Sequence, residues 1–167
     1  MIKMKIVNIQ EVLPTNAPVV LLGEEEGERL LPIFIGRPEA TAIGLALADQ
    51  RPPRPMTHDL LASMVETFGW QVERVVITDL QEKTFFAEIY FRGPVGVEVV
   101  PCRPSDALAL AVRSNGEIYV EEKVLDQAGY LSEDDDSGQS EEEVEEFRAF
   151  LDNVNPDDFA GGDSEPS

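Results

Sequence analysis

The stretch that decides the fold is QVERVVITDLQEKTFFAEIYFRGPVGVEVV, residues 71–100, which predicts three consecutive β-strands. Short runs rich in β-branched and aromatic residues, divided by polar or glycine-containing turns, are typical of strands. The strands are expected at 71–80, 84–91 and 95–100. Working outward, the sequence predicts further strands at 4–13, 19–22, 29–35 and 117–121. Strands that follow one another in runs indicate an α+β fold with mainly antiparallel pairing.

Four helices are predicted among these strands, at 38–49, 57–68, 105–113 and 122–129. Thr57 and Ser105 are the expected N-caps of the second and third helices. The second helix has apolar residues at the spacing of one buried face, namely Leu60, Leu61, Met64, Val65 and Phe68. We therefore predict a single compact α+β domain over 1–131, with about four helices packed on the sheet.

Composition separates this domain from the rest of the chain. The formal net charge of −20 is concentrated in residues 132–167, which hold fourteen acidic residues and one base, Arg148. We expect a disordered acidic linker at 132–143, an amphipathic helix at 144–155 and a disordered acidic terminus at 156–167. The helix is predicted from the spacing of Val144, Phe147, Leu151 and Val154. Docking on its own domain, on a sister subunit or on a separate protein partner are all open.

The cellular setting is predicted from what the sequence lacks. The single cysteine, Cys102, cannot form a disulfide within the chain, and we expect a small buried residue at a strand end. No apolar run reaches the roughly 18 residues of a membrane span, and the N-terminal residues do not resemble a secretory leader. These features predict a cytoplasmic protein without a membrane segment.

One sequence theme occurs three times. The segments are Arg37-Pro-Glu39, Arg54-Pro-Met-Thr-His-Asp59 and Arg103-Pro-Ser-Asp106. In each, an arginine and a proline precede a predicted helix and a carboxylate falls in its first turn, where the helix dipole stabilises it. An arginine in that place opposes the dipole, so it requires an anion nearby. Both an internal carboxylate and a ligand phosphate satisfy that requirement.

The functional hypothesis is that these helix starts converge on one cleft. Arg37, Arg54 and Arg103, with Ser105, would then bind phosphate. Glu39, Asp59 and Asp106 would hold a divalent metal, Mg²⁺ or Mn²⁺, because hard cations prefer carboxylate oxygens. His58, the only histidine, would act with Asp59, Asp106 and Glu39 as general acid or base. The alternative for His58 is capping or packing at the helix start.

The same segments carry a family resemblance. Five segments resemble the bifunctional nuclease domain family in their residues, order and spacing. They are Leu31 to Ala40, Pro52 to Leu60, Thr84 to Ala87, Arg103 to Ala111 and Ile118 to Val120. The resemblance covers about residues 4–131 and implies hydrolysis of both DNA and RNA by a domain that self-associates. Its motif positions here are Glu39, Arg54, His58, Asp59, Arg103, Ser105 and Asp106. The pattern at 145–159 is similar to the tails of actinobacterial members.

Two functions therefore stand as hypotheses. The first is a metal-dependent nuclease that hydrolyses phosphodiester bonds of DNA and RNA with little base preference. The second is a non-enzymatic, homo-oligomeric binding or regulatory module that uses the 144–155 helix for protein interaction. The acidic composition and the lack of a lysine-rich run disfavour tight nucleic-acid binding by electrostatics alone.

Overall fold

The structure is a computed structural model that describes residues 1–131. These residues form an α+β domain, as predicted, with eight strands and four helices. The strands are β1 (Ile2–Val12), β2 (Ala17–Glu24), β3 (Arg29–Phe34), β4 (Gln71–Gln81), β5 (Thr84–Gly93), β6 (Gly96–Cys102), β7 (Glu117–Val120) and β8 (Tyr130–Leu131). The helices are α1 (Arg37–Leu47), α2 (Thr57–Thr67), α3 (Pro104–Ser114) and α4 (Glu122–Ala128). The predicted elements agree with these bounds to within about two residues.

The eight strands form one sheet in the order β6-β5-β4-β7-β1-β2-β3-β8. Neighbours pair antiparallel except β4 and β7, which are parallel. A parallel pair needs a crossover connection, and the chain makes it through β5, β6 and α3. The sequence predicts neither this parallel pair nor β8. The two residues of β8 are too few to show a strand pattern, and the four residues of β7 show a strand but not the direction of its partner.

The helices and the core pack against the sheet, and parts of β2 and β4 are buried on both faces. The buried side chains of the core include Val75, Ile77 and Ile89. α3 lies against β4, β5 and β7, and all residues from Ala107 to Ala111 are buried. The small alanines allow the helix to approach the sheet closely. α3 is therefore the central helix of the layer, and its position fixes where its first turn points.

The prediction that α2 buries its apolar face is wrong. Leu60, Leu61, Met64 and Phe68 are between 43% and 67% exposed. Of the five predicted residues only Val65 is partly buried against the core, and α2 packs against α3 and β4 through the side that carries Ala62 and Val65. A helical period shows which residues share a face, but not whether another element lies opposite that face.

The predicted N-caps of α2 and α3 are also wrong. The N-caps are Met56 and Arg103, so Thr57 and Ser105 lie inside the first turns. At α2 the reason is Asp59, whose Oδ2 accepts a hydrogen bond of 2.9 Å from the Met56 backbone N–H. A carboxylate at the third helical position accepts a hydrogen bond from the backbone N–H of the N-cap residue. The start of α2 therefore does not require the Thr57 hydroxyl as a cap.

One further prediction concerns the single cysteine. Cys102 is the last residue of β6 and is partly buried, as expected. Within residues 1–131 no helix is long and apolar enough to cross a membrane. The predictions for 132–143, 144–155 and 156–167 lie outside the described residues.

Candidate functional site

The N-terminal ends of three helices contribute polar side chains to one group. α3 packs against both α1 and α2 and therefore brings their first turns close to its own. The group consists of Glu39 from α1, His58 from α2, and Arg103 and Asp106 at the start of α3, joined by direct hydrogen bonds. We call these four residues the helix-start cluster.

Arg103 holds the two carboxylates of the cluster. Its Nε donates to Asp106 Oδ2 at 2.8 Å, and its Nη2 donates to Asp106 Oδ1 at 3.0 Å. The same Nη2 donates to Glu39 Oε1 at 3.1 Å. Such a two-pronged contact fixes the orientation of guanidinium and carboxylate together. The Arg103 side chain is nevertheless 65% exposed, so its guanidinium is accessible to a ligand from solvent.

His58 is the buried member of the cluster. It is 8% exposed, and its Nε2 lies 3.0 Å from Asp106 Oδ1. Burial acts to raise the pKa of Asp106, but hydrogen bonds from Arg103 and His58 outweigh it and lower that pKa overall. An ionised carboxylate can only accept, so Nε2 carries the proton of this bond. In the neutral imidazole, Nδ1 is then the nitrogen that can take up a proton.

Asp59 belongs to a different contact. Its Oδ1 accepts a hydrogen bond of 2.6 Å from Arg113 Nε. Arg113 also donates from Nη1 to the Ala109 carbonyl at 2.8 Å and from Nη2 to the Ala42 carbonyl at 2.9 Å. The hydrogen bond from Arg113, followed by that from Met56, lowers the pKa of Asp59. Asp59 and Arg113 therefore join α1, α2 and α3 structurally, and Asp59 does not orient His58.

The remaining predicted phosphate-binding residues are not joined in one cleft. Arg37 turns away, donating to Glu11 Oε1 at 3.1 Å and to the Asn16 carbonyl at 3.0 Å. Arg54 is exposed in the segment between α1 and α2 and makes no hydrogen bond or ion pair within residues 1–131. Ser105 is 7% exposed and lies in the first turn of α3 beside Arg103.

The predicted metal ligands do not assemble into a common site. Across the described part of the chain, no three His, Cys, Asp or Glu side chains form a group that could hold a metal ion. Glu39 and Asp106 come together, but they do so on the Arg103 guanidinium. Asp59 is engaged by Arg113. The donor set of Glu39, Asp59 and Asp106 thus does not fit a metal ion in this arrangement.

Arg113 is the important residue that sequence reasoning missed. Its side chain is 8% exposed and contacts three helices. The signal was present: Arg113 lies seven residues after Asp106, two helical turns further along the same side of α3. α3 is apolar and buried from Ala107 to Ala111. An arginine placed two residues after such a segment must find hydrogen-bond acceptors inside the protein.

Fold and site together define the class of protein. It is an α+β domain in which charged side chains meet at the starts of three packed helices. The model of the bifunctional nuclease domain matches residues 20–133, and the chain belongs to that family.

Similar proteins support the same family. An uncharacterized protein of Mycobacterium tuberculosis is 45% identical over 162 residues, covering 94% of this chain and 97% of that protein. Bifunctional nuclease 2 of Arabidopsis thaliana is 32% identical over 116 residues, covering 65% of this chain and 35% of that protein. Bifunctional nuclease 1 of Oryza sativa subsp. japonica is 27% identical over 124 residues, covering 72% and 37%. The match to each plant protein thus spans little more than a third of that protein's length.

Proposed function

We propose that this chain hydrolyses phosphodiester bonds of DNA and RNA, with little base preference, at the helix-start cluster. Family membership and the names of the plant relatives support a nuclease. The observation that carries the proposal is the junction of His58, Asp106 and Arg103, which joins a proton-transfer group, its orienting carboxylate and an exposed cation.

Each member of the cluster has a distinct role in this proposal. Arg103 binds a non-bridging phosphate oxygen through its exposed guanidinium N–H groups. His58 takes a proton at Nδ1 from the water whose oxygen attacks phosphorus, because Asp106 holds Nε2 in its protonated form. As the new P–O bond forms, the bond from phosphorus to the leaving sugar oxygen breaks, and that oxygen takes a proton from solvent. Asp106 is therefore a positioning residue. Glu39 shares Arg103 with Asp106 and keeps the guanidinium over the cluster in the absence of substrate.

Mg²⁺ or Mn²⁺ dependence stays a prediction within this proposal. A divalent ion would add positive charge beside the phosphate. No step here is assigned to it, since the predicted ligands do not share one site.

The test is a hydrolysis assay on single-stranded DNA and RNA with the purified full chain. Each reaction contains Mg²⁺, Mn²⁺ or EDTA. His58→Gln should lower the rate by about 10²–10⁴-fold, the usual contribution of a general acid or base. Asp106→Asn should also lower the rate, because the carboxylate that keeps the proton of His58 on Nε2 is lost. Arg51→Gln is the matched control, because Arg51 is 91% exposed and lies outside the cluster.

Circular dichroism and thermal melting check that the variants remain folded. Hydrolysis that persists unchanged in both folded variants would show that this cluster does not cleave the substrate. A selective loss in both, with Arg51→Gln unaffected, supports the proposal.

The second candidate, a non-enzymatic binding module, is favoured by the exposed apolar face of α2. Absence of hydrolysis under all metal conditions, together with a concentration-dependent oligomer in sedimentation, would favour it. Homo-oligomerisation itself stays a prediction.

A further inference from the structure

An apolar groove lies between α2 and the β5–β6 edge of the sheet. It has a volume of about 430 Å³ and is lined mainly by Leu61, Met64, Val65, Phe68, Trp70 and Phe91. Glu98 of β6 is the one charged residue in the lining. An exposed apolar surface of this kind on a small domain marks a place where another element binds.

We propose that the segment 144–155 of the same chain docks in this groove as an amphipathic helix. The apolar spacing of the two partners matches. Leu61, Met64 and the C-cap residue Phe68 stand at intervals of three and four residues along α2, and Val144, Phe147 and Leu151 repeat the same intervals. The apolar stripe from 61 to 68 is about 11 Å long and that from 144 to 154 about 15 Å, at the rise of an α-helix. Two such stripes can interdigitate along their length.

The connecting chain is long enough to reach the groove. The described domain ends in β8, and the groove begins at β5, six strand positions away across the sheet. At the usual strand spacing this distance is about 29 Å. The twelve residues 132–143 span up to about 40 Å when extended. Docking within one chain is therefore sterically accessible.

Charge selects the register of the docked segment. Arg148 is the only base in residues 132–167, and in a helix it would border the stripe of Val144 and Leu151. Glu98 is the only charged residue that lines the groove. Pairing Arg148 with Glu98 satisfies both. The segment and the domain are otherwise both acidic, so added salt should strengthen docking by screening their repulsion.

Trp70 provides a direct readout, because it is the only tryptophan of the chain and lines the groove. In the full chain, Phe147→Asp with Leu151→Asp should red-shift Trp70 emission and raise its quenching by acrylamide. Phe159→Asp is the matched control in the same acidic tail, outside the stripe. Emission and quenching that are identical in the wild type and the double variant would overturn the proposal.

The charge pair is tested by reversal. Arg148→Glu should raise acrylamide quenching, and Glu98→Arg in the same chain should restore the wild-type value. An additive increase instead of a restoration would rule out the Arg148–Glu98 register.

Cross-linking identifies the occupant. Met64→Cys and Leu151→Cys are combined with Cys102→Ser, which removes the native thiol. Oxidation should give a faster-migrating monomer that requires both new cysteines. A covalent dimer from Met64→Cys, Cys102→Ser without the tail cysteine would place a second copy of α2 in the groove and overturn the proposal. If neither cross-linked product forms, the proposal is also overturned.

Discussion

Replacing Arg113 with methionine should lower the free energy of unfolding by about 3 kcal/mol. The Arg113 side chain is 8% exposed and makes three hydrogen bonds, to Asp59, to the Ala109 carbonyl and to the Ala42 carbonyl. Removing one partner of a buried ion pair costs about 3–5 kcal/mol, since the other charge is left without compensation. Asp59 is 30% exposed and regains water, which places the cost at the lower end. Methionine retains most of the apolar packing of the arginine stem.

The assay is urea unfolding of the full chain, monitored by circular dichroism, with thermal melting as a second measurement. A loss of about 3 kcal/mol corresponds to a Tm lower by roughly 6–12 °C for a chain of this size. Arg37→Met is the matched control. Arg37 is 65% exposed and pairs with an exposed Glu11, so its removal should cost about 1 kcal/mol or less. Equal losses for the two variants would refute the reasoning that Arg113 joins three helices.

Three more predictions follow from the same contacts. The pKa values of Asp59 and Asp106 lie below the ordinary 3.8. Their contribution to stability is therefore complete above that pH and is lost as pH falls through the lower folded values. Urea unfolding between pH 5 and 2 should show this loss, and in Asp59→Asn the free energy of unfolding should depend less on pH over that range. Burial, with the charge of Asp106, raises the pKa of Cys102 from 9.0 to about 11. Iodoacetamide at pH 8 should therefore react with Cys102 of the folded chain about 100-fold more slowly than with Cys102 of the unfolded chain. Equal rates for the two states would contradict this prediction. Glu39→Gln leaves Arg103 with one charged partner fewer. The substitution should tighten binding of a short phosphorylated oligonucleotide by about two- to five-fold in a fluorescence titration. Unchanged or weaker binding would contradict the proposal that Arg103 contacts the phosphate.

The fold was largely predictable because its signals are local. The run of strands at 71–100 and the end of the second predicted helix just before Gly69 depend on period and turn chemistry within a few residues. Gly69 adopts positive φ, the conformation that glycine tolerates best. The parallel pairing of β4 with β7 was not predictable, because it depends on how a distant crossover folds back over the sheet.

The site was predictable only in part, for a related reason. Proline, arginine and carboxylate at three helix starts marked the right segments, and Glu39, His58, Arg103 and Asp106 do meet. Which way each remaining side chain turns depends on a third partner far away in sequence. Glu11 draws Arg37 aside, and Arg113 engages Asp59. No spacing near either residue reveals those partners.

The charge balance of the helix-start cluster limits how the proposed reaction can work. Arg103 contributes one positive charge, while Glu39 and Asp106 contribute two negative ones. Whether or not His58 is protonated, the cluster carries no net positive charge, and the surrounding chain is acidic. A phosphodiester therefore gains little from long-range attraction and must share Arg103 with the two carboxylates that already bind its Nε and Nη2. Additional positive charge has to come either from a bound cation or from an arginine outside the cluster. Activity that is undiminished in EDTA would point to the exposed Arg54, because it makes no ion pair within residues 1–131 that a phosphate would have to replace.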